Sequence, residues 1–306
     1  MRDVAAICCL GLIIAVASGC EAGGGGKVIG AAMLTATHVF YQDLVEEMEA
    51  AAKEQGFTLR VQYAEFNSQR QVEQIEMFIA QGVNALIIAP TDSSGMGPAI
   101  AAARARGIPV FTADIAAKDA DVVSHIASDN HQGGAILAEY LAGLLGGKGT
   151  VAVIDNPEAT SVQDRVRGFE ETLAKHPDIR IVQKAPGEGQ RDKAHSAAEK
   201  LLSAYPDLSA IFGVNDDSAL GALAAVEAAG LQDKVIVVGF DGTPEARAAI
   251  QAGKALKADT VQYPREIGRK TIETVAAFLR GERVPKQVDV QVGIIDKAKL
   301  DAEQGP

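Results

Sequence analysis

From Lys27 onward, short runs of aliphatic and β-branched residues alternate with longer segments in which apolar positions recur every three or four residues. The first rhythm suits buried strands and the second amphipathic helices, and their steady alternation is the mark of parallel βαβ units. In the first half the pattern predicts strands over residues 28–33, 58–63, 85–89, 109–112 and 122–126. Helices are predicted over 41–55, 69–81 and 97–106, each stopped by a glycine at Gly56, Gly82 or Gly107.

The same grammar restarts near Ser128-Asp129-Asn130, with a helix over 133–145, a glycine-rich break and a strand over 150–154. Further strands are predicted at 180–183, 210–214 and 235–240, interleaved with helices at 165–175, 193–204 and 218–229. The segment 255–262, a helix over 265–280 and a strand over 288–295 form a last piece too small for its own core. It must pack on one lobe or be shared by both. The expectation is an α/β protein of two Rossmann-like lobes with parallel sheets.

Composition agrees with two cores. The 306 residues exceed a typical single domain, and 47% hydrophobic content fills two of ordinary size. Acidic side chains outnumber basic ones 40 to 29, and no basic run is long enough to follow a phosphate backbone, so nucleic acid is not an expected partner. Aromatics make up only 5%, without tryptophan, which leaves few rings to stack on a ligand.

All three cysteines, Cys8, Cys9 and Cys20, stand at the N-terminus. An apolar run over 4–16 is too short to span a bilayer, and Ala17-Ser18-Gly19-Cys20 follows it with small residues. Residues 1–19 read as a lipoprotein signal peptide, Cys20 as the lipidated first mature residue, and 20–27 as the lipidated cysteine with its glycine-rich tether. Export is expected, to the periplasm or the cell surface, with the membrane touched only through that anchor.

In open parallel sheets, ligands bind beyond the carboxyl ends of the strands, so polar residues that follow apolar runs are the candidates. Asp114, Asn215, Asp241 and Gln262 each stand there, Arg165 opens the helix after the 150–154 strand, and His38, Phe40 and Tyr41 occupy the equivalent turn of the first lobe. This set suits vicinal hydroxyls: carboxylates accept, a guanidinium donates, amides do both, and rings cover C–H faces. Each residue also has a plainer reading. Asn215 can simply cap the following helix, and Asp241-Gly242-Thr243-Pro244 can be a turn into a proline-initiated helix.

Catalytic chemistry finds little support. Lys148 in the cluster 143–149 lacks both the upstream glycine and the following Ser or Thr of a phosphate loop. The five histidines have no zinc-ligand spacing, and no Gly-x-Ser-x-Gly elbow occurs. Neither cofactor nor metal is expected, and the chain reads as a non-enzyme.

Three long stretches, 122–130 (VVSHIASDN), 215–223 (NDDSALGAL) and 237–244 (VVGFDGTP), resemble the sugar-binding proteins of bacterial ABC importers, the type I periplasmic binding protein family, and most of all its ribose-binding members. The likeness spans nearly everything after Lys27. It implies two lobes joined by three hinge crossings, near Ser128, near Gln262 and Tyr263, and near Gln291. The N-terminal lobe would then hold 28–128 with 263–290, and the C-terminal lobe 129–262 with 291–306.

The resemblance carries ligand roles onto Phe40, Tyr41, Asp114, Arg165, Asn215, Asp241 and Gln262. It also implies three departures from the ribose pattern: His38 for an asparagine, Ile115 for an arginine donor, and Gly189 for a covering aromatic. A pentose other than ribose, a hexose, a deoxy sugar or a polyol is therefore expected. Implied partners of this monomer are a permease with its ATPase, or a chemoreceptor or sensor. A sugar-responsive transcription regulator of the same fold would need a helix-turn-helix where the apolar run and tether stand.

Overall fold

The computed structural model describes residues 26–303. The leader, Cys20 and most of the tether lie outside the described residues, as do the last three positions of the expected second lobe.

The first half runs β1 (Val28–Met33), α1 (Val39–Glu54), β2 (Thr58–Tyr63), α2 (Ser68–Ala80), β3 (Ala85–Ile88), α3 (Gly97–Ala105), β4 (Val110–Ala113) and β5 (His125–Ser128). Then follow α4 (Asn130–Leu144), β6 (Gly149–Asp155), α5 (Thr160–Leu173), β7 (Ile179–Pro186), α6 (Arg191–Ala204), β8 (Ala210–Gly213) and α7 (Asp216–Ala228). The chain closes with β9 (Ile236–Asp241), α8 (Pro244–Gln251), β10 (Leu256–Val261), α9 (Pro264–Leu279), β11 (Gln287–Val290), β12 (Gly293–Asp296) and α10 (Lys297–Glu303).

These strands make two six-stranded sheets, ordered β2-β1-β3-β4-β5-β11 and β7-β6-β8-β9-β10-β12. Every pairing is parallel except β12 against β10. Central strands β3, β4 and β8 are buried at every position, as helices on both faces require, whereas edge strand β2 shows an exposed residue at every second position.

The predicted strand over 122–126 is displaced: Val123 N–H donates to the Val110 carbonyl, but regular pairing begins only at His125, where β11 lies alongside. The predicted single strand over 288–295 is two strands in two sheets, separated by Gln291 and Val292. α9 packs on α1, β4, β5 and β11, and α10 on α8 and β12. Arg265 pairs with Asp43 and Glu46, and Arg269 with Glu47 and Glu54, tying α9 to α1.

In the second lobe α4 and α5 approach so closely that glycine is obligatory at the contact. A Cβ on Gly134 would stand 1.9 Å from the Arg165 carbonyl oxygen, and one on Gly168 2.0 Å from that of His131. This contact carries Arg165 up to the space between the lobes.

Candidate ligand-binding site

Between the lobes, beyond the carboxyl ends of both sheets, lies a cavity of about 50 Å³. Its walls bring together all nine residues nominated from the sequence: His38, Phe40, Tyr41, Asp114 and Ile115 from the side of the first sheet, and Arg165, Asn215, Asp241 and Gln262 from the side of the second. Gly189 also borders it.

Asp114 leaves β4 in the left-handed region (φ 64°), a strained conformation for a residue with a side chain. The Tyr41 hydroxyl fixes it, donating to Oδ2 at 2.6 Å. Burial raises the Asp114 pKa, offset by the Tyr41 bond and by Arg165. Tyr41 is pushed far up by burial and by the Asp114 charge, so it stays a donor. Its hydroxyl is therefore committed to placing Asp114, while its ring faces the cavity and packs on Phe40 with centroids 5.3 Å apart.

Arg165 does not open its helix. α5 begins at Thr160, whose hydroxyl is engaged by the opposite lobe and does not cap, so Arg165 sits in the second turn, only 3% exposed. Its Nε and Nη2 donate to Asn130 Oδ1 at 3.2 and 2.8 Å, Nη1 donates to the Val214 carbonyl, and the guanidinium lies 3.5 Å above the centre of the Phe240 ring. These bonds use three of five N–H groups and leave two for another acceptor.

Asp241 (φ 141°) receives Gln262 Nε2 on Oδ1 at 2.6 Å and the Asp216 N–H on Oδ2 at 3.3 Å. Burial and the neighbouring Asp216 raise its pKa well above the usual carboxylate range, with Arg165 opposing. Asn215 does cap α7, accepting from Ser218 N–H at 3.0 Å; its amide also donates to the Gly189 carbonyl at 3.1 Å while it borders the cavity. Asn215 is thus the cap of α7 and a wall of the cavity at once.

His38 precedes α1 and reaches across the cleft, its Nε2 3.3 Å from Asp217 Oδ2. Burial lowers its pKa, against the opposing charges of Asp217 and Glu65.

Several wall residues escaped the sequence survey. Asn156, polar and directly after β6, falls under the strand-end rule applied elsewhere; Phe66, apolar and three residues beyond β2, does not. Asn130 was legible only as part of a motif; its function is to hold Arg165. Among the described residues no group of three potential metal ligands forms.

Two doubly wound sheets trapping a polar, ring-lined cavity between them define a two-lobed solute-binding protein. Residues 29–283 match the family described as periplasmic binding protein domain, and this chain belongs to that family. The ribose import binding protein of Escherichia coli (strain K12) is 36% identical over 264 residues, 86% of this chain and 88% of that protein. The crystal structure of an ABC transporter solute binding protein from Mycobacterium smegmatis with bound glycerol is similar at a TM-score of 0.86 and 33% identity, covering 92% of this chain and 98% of that one. An ABC transporter periplasmic solute binding protein from Actinobacillus succinogenes 130z with bound D-allose gives 0.82 and 29%, covering 90% and 99%. These relatives are solute-binding proteins, not enzymes.

Proposed function

We propose that this chain is the exported receptor of an ABC-type importer, binding a monosaccharide or related polyol between its lobes and delivering it to a permease. The observation that carries this reading is one cavity in which Asp114, Asp241, Asn215 and Arg165, drawn from both lobes, converge beside Phe40 and Tyr41. Carboxylates held by Tyr41 and Gln262 accept from ring hydroxyls, the two free N–H groups of Arg165 donate, and the aromatic rings cover C–H faces. The ligands of the relatives, ribose, D-allose and glycerol, belong to one polyhydroxylated class.

Closure follows because contacts to both lobes exist only when they engage the same molecule. The crossings after β5, after β10 and between β11 and β12 act as the hinge. Ile115, a buried apolar residue at the wall, and His38, tied to Asp217, favour a ligand other than ribose: another pentose, a hexose, a deoxy sugar or a polyol. Cys20 anchors the mature protein, which C20A and palmitate labelling test.

Calorimetry of the mature protein against pentoses, hexoses, deoxy sugars and polyols tests the ligand class. Binding of at least one is expected, and its loss in D241A with an unchanged melting temperature for the unliganded protein. Submicromolar affinity for ribose alone would overturn the specificity reading, and retained affinity in D241A would remove Asp241 from the site.

A further inference from the structure

The inner cavity is not the end of the cleft. A second space of about 380 Å³ opens toward the surface and shares Leu34, Phe66, Ile115, Asn156 and Ala159 with the inner one. These five residues border both spaces and form the neck between them. Beyond them the outer space is walled by Ser68 and Thr91 from the first lobe and by Pro157, Pro186 and Gln190 from the second.

The outer space exists while the lobes are already fastened beside it. Ser93 N–H donates to the Glu158 carbonyl at 3.1 Å, and Thr160 N–H to Ser93 Oγ at 2.9 Å. It therefore belongs to the closed form and is not the gape of an open cleft.

The neck is built for a sugar-like occupant. Phe66 is held there by two successive left-handed residues, Glu65 (φ 51°) and Phe66 itself (φ 59°). The Glu65 carboxylate braces this turn, accepting from Thr35 Oγ1 at 2.7 Å and from Ala36 N–H at 3.1 Å. Opposite stands Asn156, whose side-chain amide has no protein hydrogen-bond partner among the described residues and offers both a donor and an acceptor. Gly189 (φ 66°) keeps the passage clear: a Cβ there would lie 3.6 Å from the amide nitrogens of both Asn156 and Asn215, and a longer side chain would extend into the neck. One apolar ring, Phe66, on one wall and a free amide on the other match the C–H face and the oxygen edge of a glycosidic linkage.

We propose that the outer space is a second subsite and that the chain captures a short glycoside, one ring in the inner cavity and its O-linked substituent passing the neck. This rests on the sugar-binding reading above. The inner cavity is far below the roughly 300 Å³ at which pockets for larger ligands begin, so anything beyond one small ring must extend outward.

The test is calorimetry with D-ribose, D-xylose, D-allose and D-galactose, and with both phenyl glycoside anomers of each, whose aglycone passes the neck into the outer space, on the wild type and on P186W. Pro186 is exposed at the outer wall, away from the inner cavity, so tryptophan there fills only the outer space. At least one glycoside is expected to bind within about threefold of its parent sugar or tighter, and P186W to weaken it about tenfold or more while the free sugar changes by less than about twofold. If free sugars bind and every phenyl glycoside is weaker by about tenfold or more, or if P186W affects both alike, the subsite is refuted while the receptor reading stands. If neither class binds, the subsite falls, and the receptor reading stands or falls on the wider panel of sugars and polyols above.

Discussion

The Thr160 hydroxyl on the first turn of α5 crosses the cleft to Ala116, accepting from its N–H at 2.8 Å and donating to its carbonyl at 3.1 Å. Thr160 does not line the inner cavity, so these bonds fasten the closed form without touching ligand. T160V keeps the shape and removes both bonds, along with the one that Thr160 Oγ1 accepts from Ser93 Oγ at 3.3 Å, at about 1 to 2 kcal/mol. Affinity should fall about 5- to 30-fold by the same factor for every ligand bound. Scattering should show a more open population, and an altered ratio between two sugars would place Thr160 in ligand recognition instead.

His38 gives closure a pH dependence. Burial in the closed form lowers its pKa, with Arg191 adding to the effect and Asp217 and Glu65 opposing it. Opening separates the imidazole from Asp217 and hydrates it, returning the pKa toward about 6.5. The open form thus binds more protons, so acidification below that value favours opening. Ligand affinity should decline between about pH 7 and pH 5, and H38N should flatten that slope. An unchanged slope in H38N would assign it to other groups.

Much of this architecture was legible because it is local. Strand ends are visible as polar residues after apolar runs, and that rule alone placed Asp114, Asn215, Asp241 and Gln262 at one edge. What depends on the opposite lobe left no local trace. Thr160 looks like an N-cap and is instead engaged by Ala116, which also hid the true start of α5 and the depth of Arg165. The split between β11 and β12 was masked because two strands in different sheets read as one apolar run.

Asp259 was likewise invisible, a carboxylate at an interior position of β10. It is fully buried in β10 near Asp216, and neither its own two carboxyl oxygens nor Asp216 Oδ1 meets a hydrogen-bond partner among the described residues. Burial first, then the neighbouring carboxylates, raise the Asp259 pKa well above the usual range. The native state therefore holds protons that the unfolded chain releases near pH 4, and the contribution is favourable at low pH and lost as pH rises through the folded value. D259N keeps the shape of the side chain and removes the titrating charge. Its melting temperature should exceed that of the wild type by about 1 to 3 °C near pH 8, with the gap closing toward pH 5. A pH-independent difference would mean that Asp259 is not the titrating group.

The contact between α4 and α5 links stability to binding. α4 carries Asn130 and α5 carries Arg165, and their hydrogen bonds at 2.8 and 3.2 Å depend on the spacing that Gly134 permits. An added Cβ would meet the backbone oxygen of Arg165 itself, which no rotamer change relieves. G134A must push the helices apart, costing about 1 to 3 kcal/mol, and the same displacement withdraws Arg165 from the cavity. Gly143 lies on the same helix, exposed, with nothing within 4 Å of an added Cβ. G143A should be neutral or stabilising by up to about 1 kcal/mol, since alanine is the better helix former. Melting and calorimetry on both variants separate the effects: G134A should lose stability and affinity together, and G143A neither. Full affinity in a destabilised G134A would show that Arg165 is positioned independently of the helix contact.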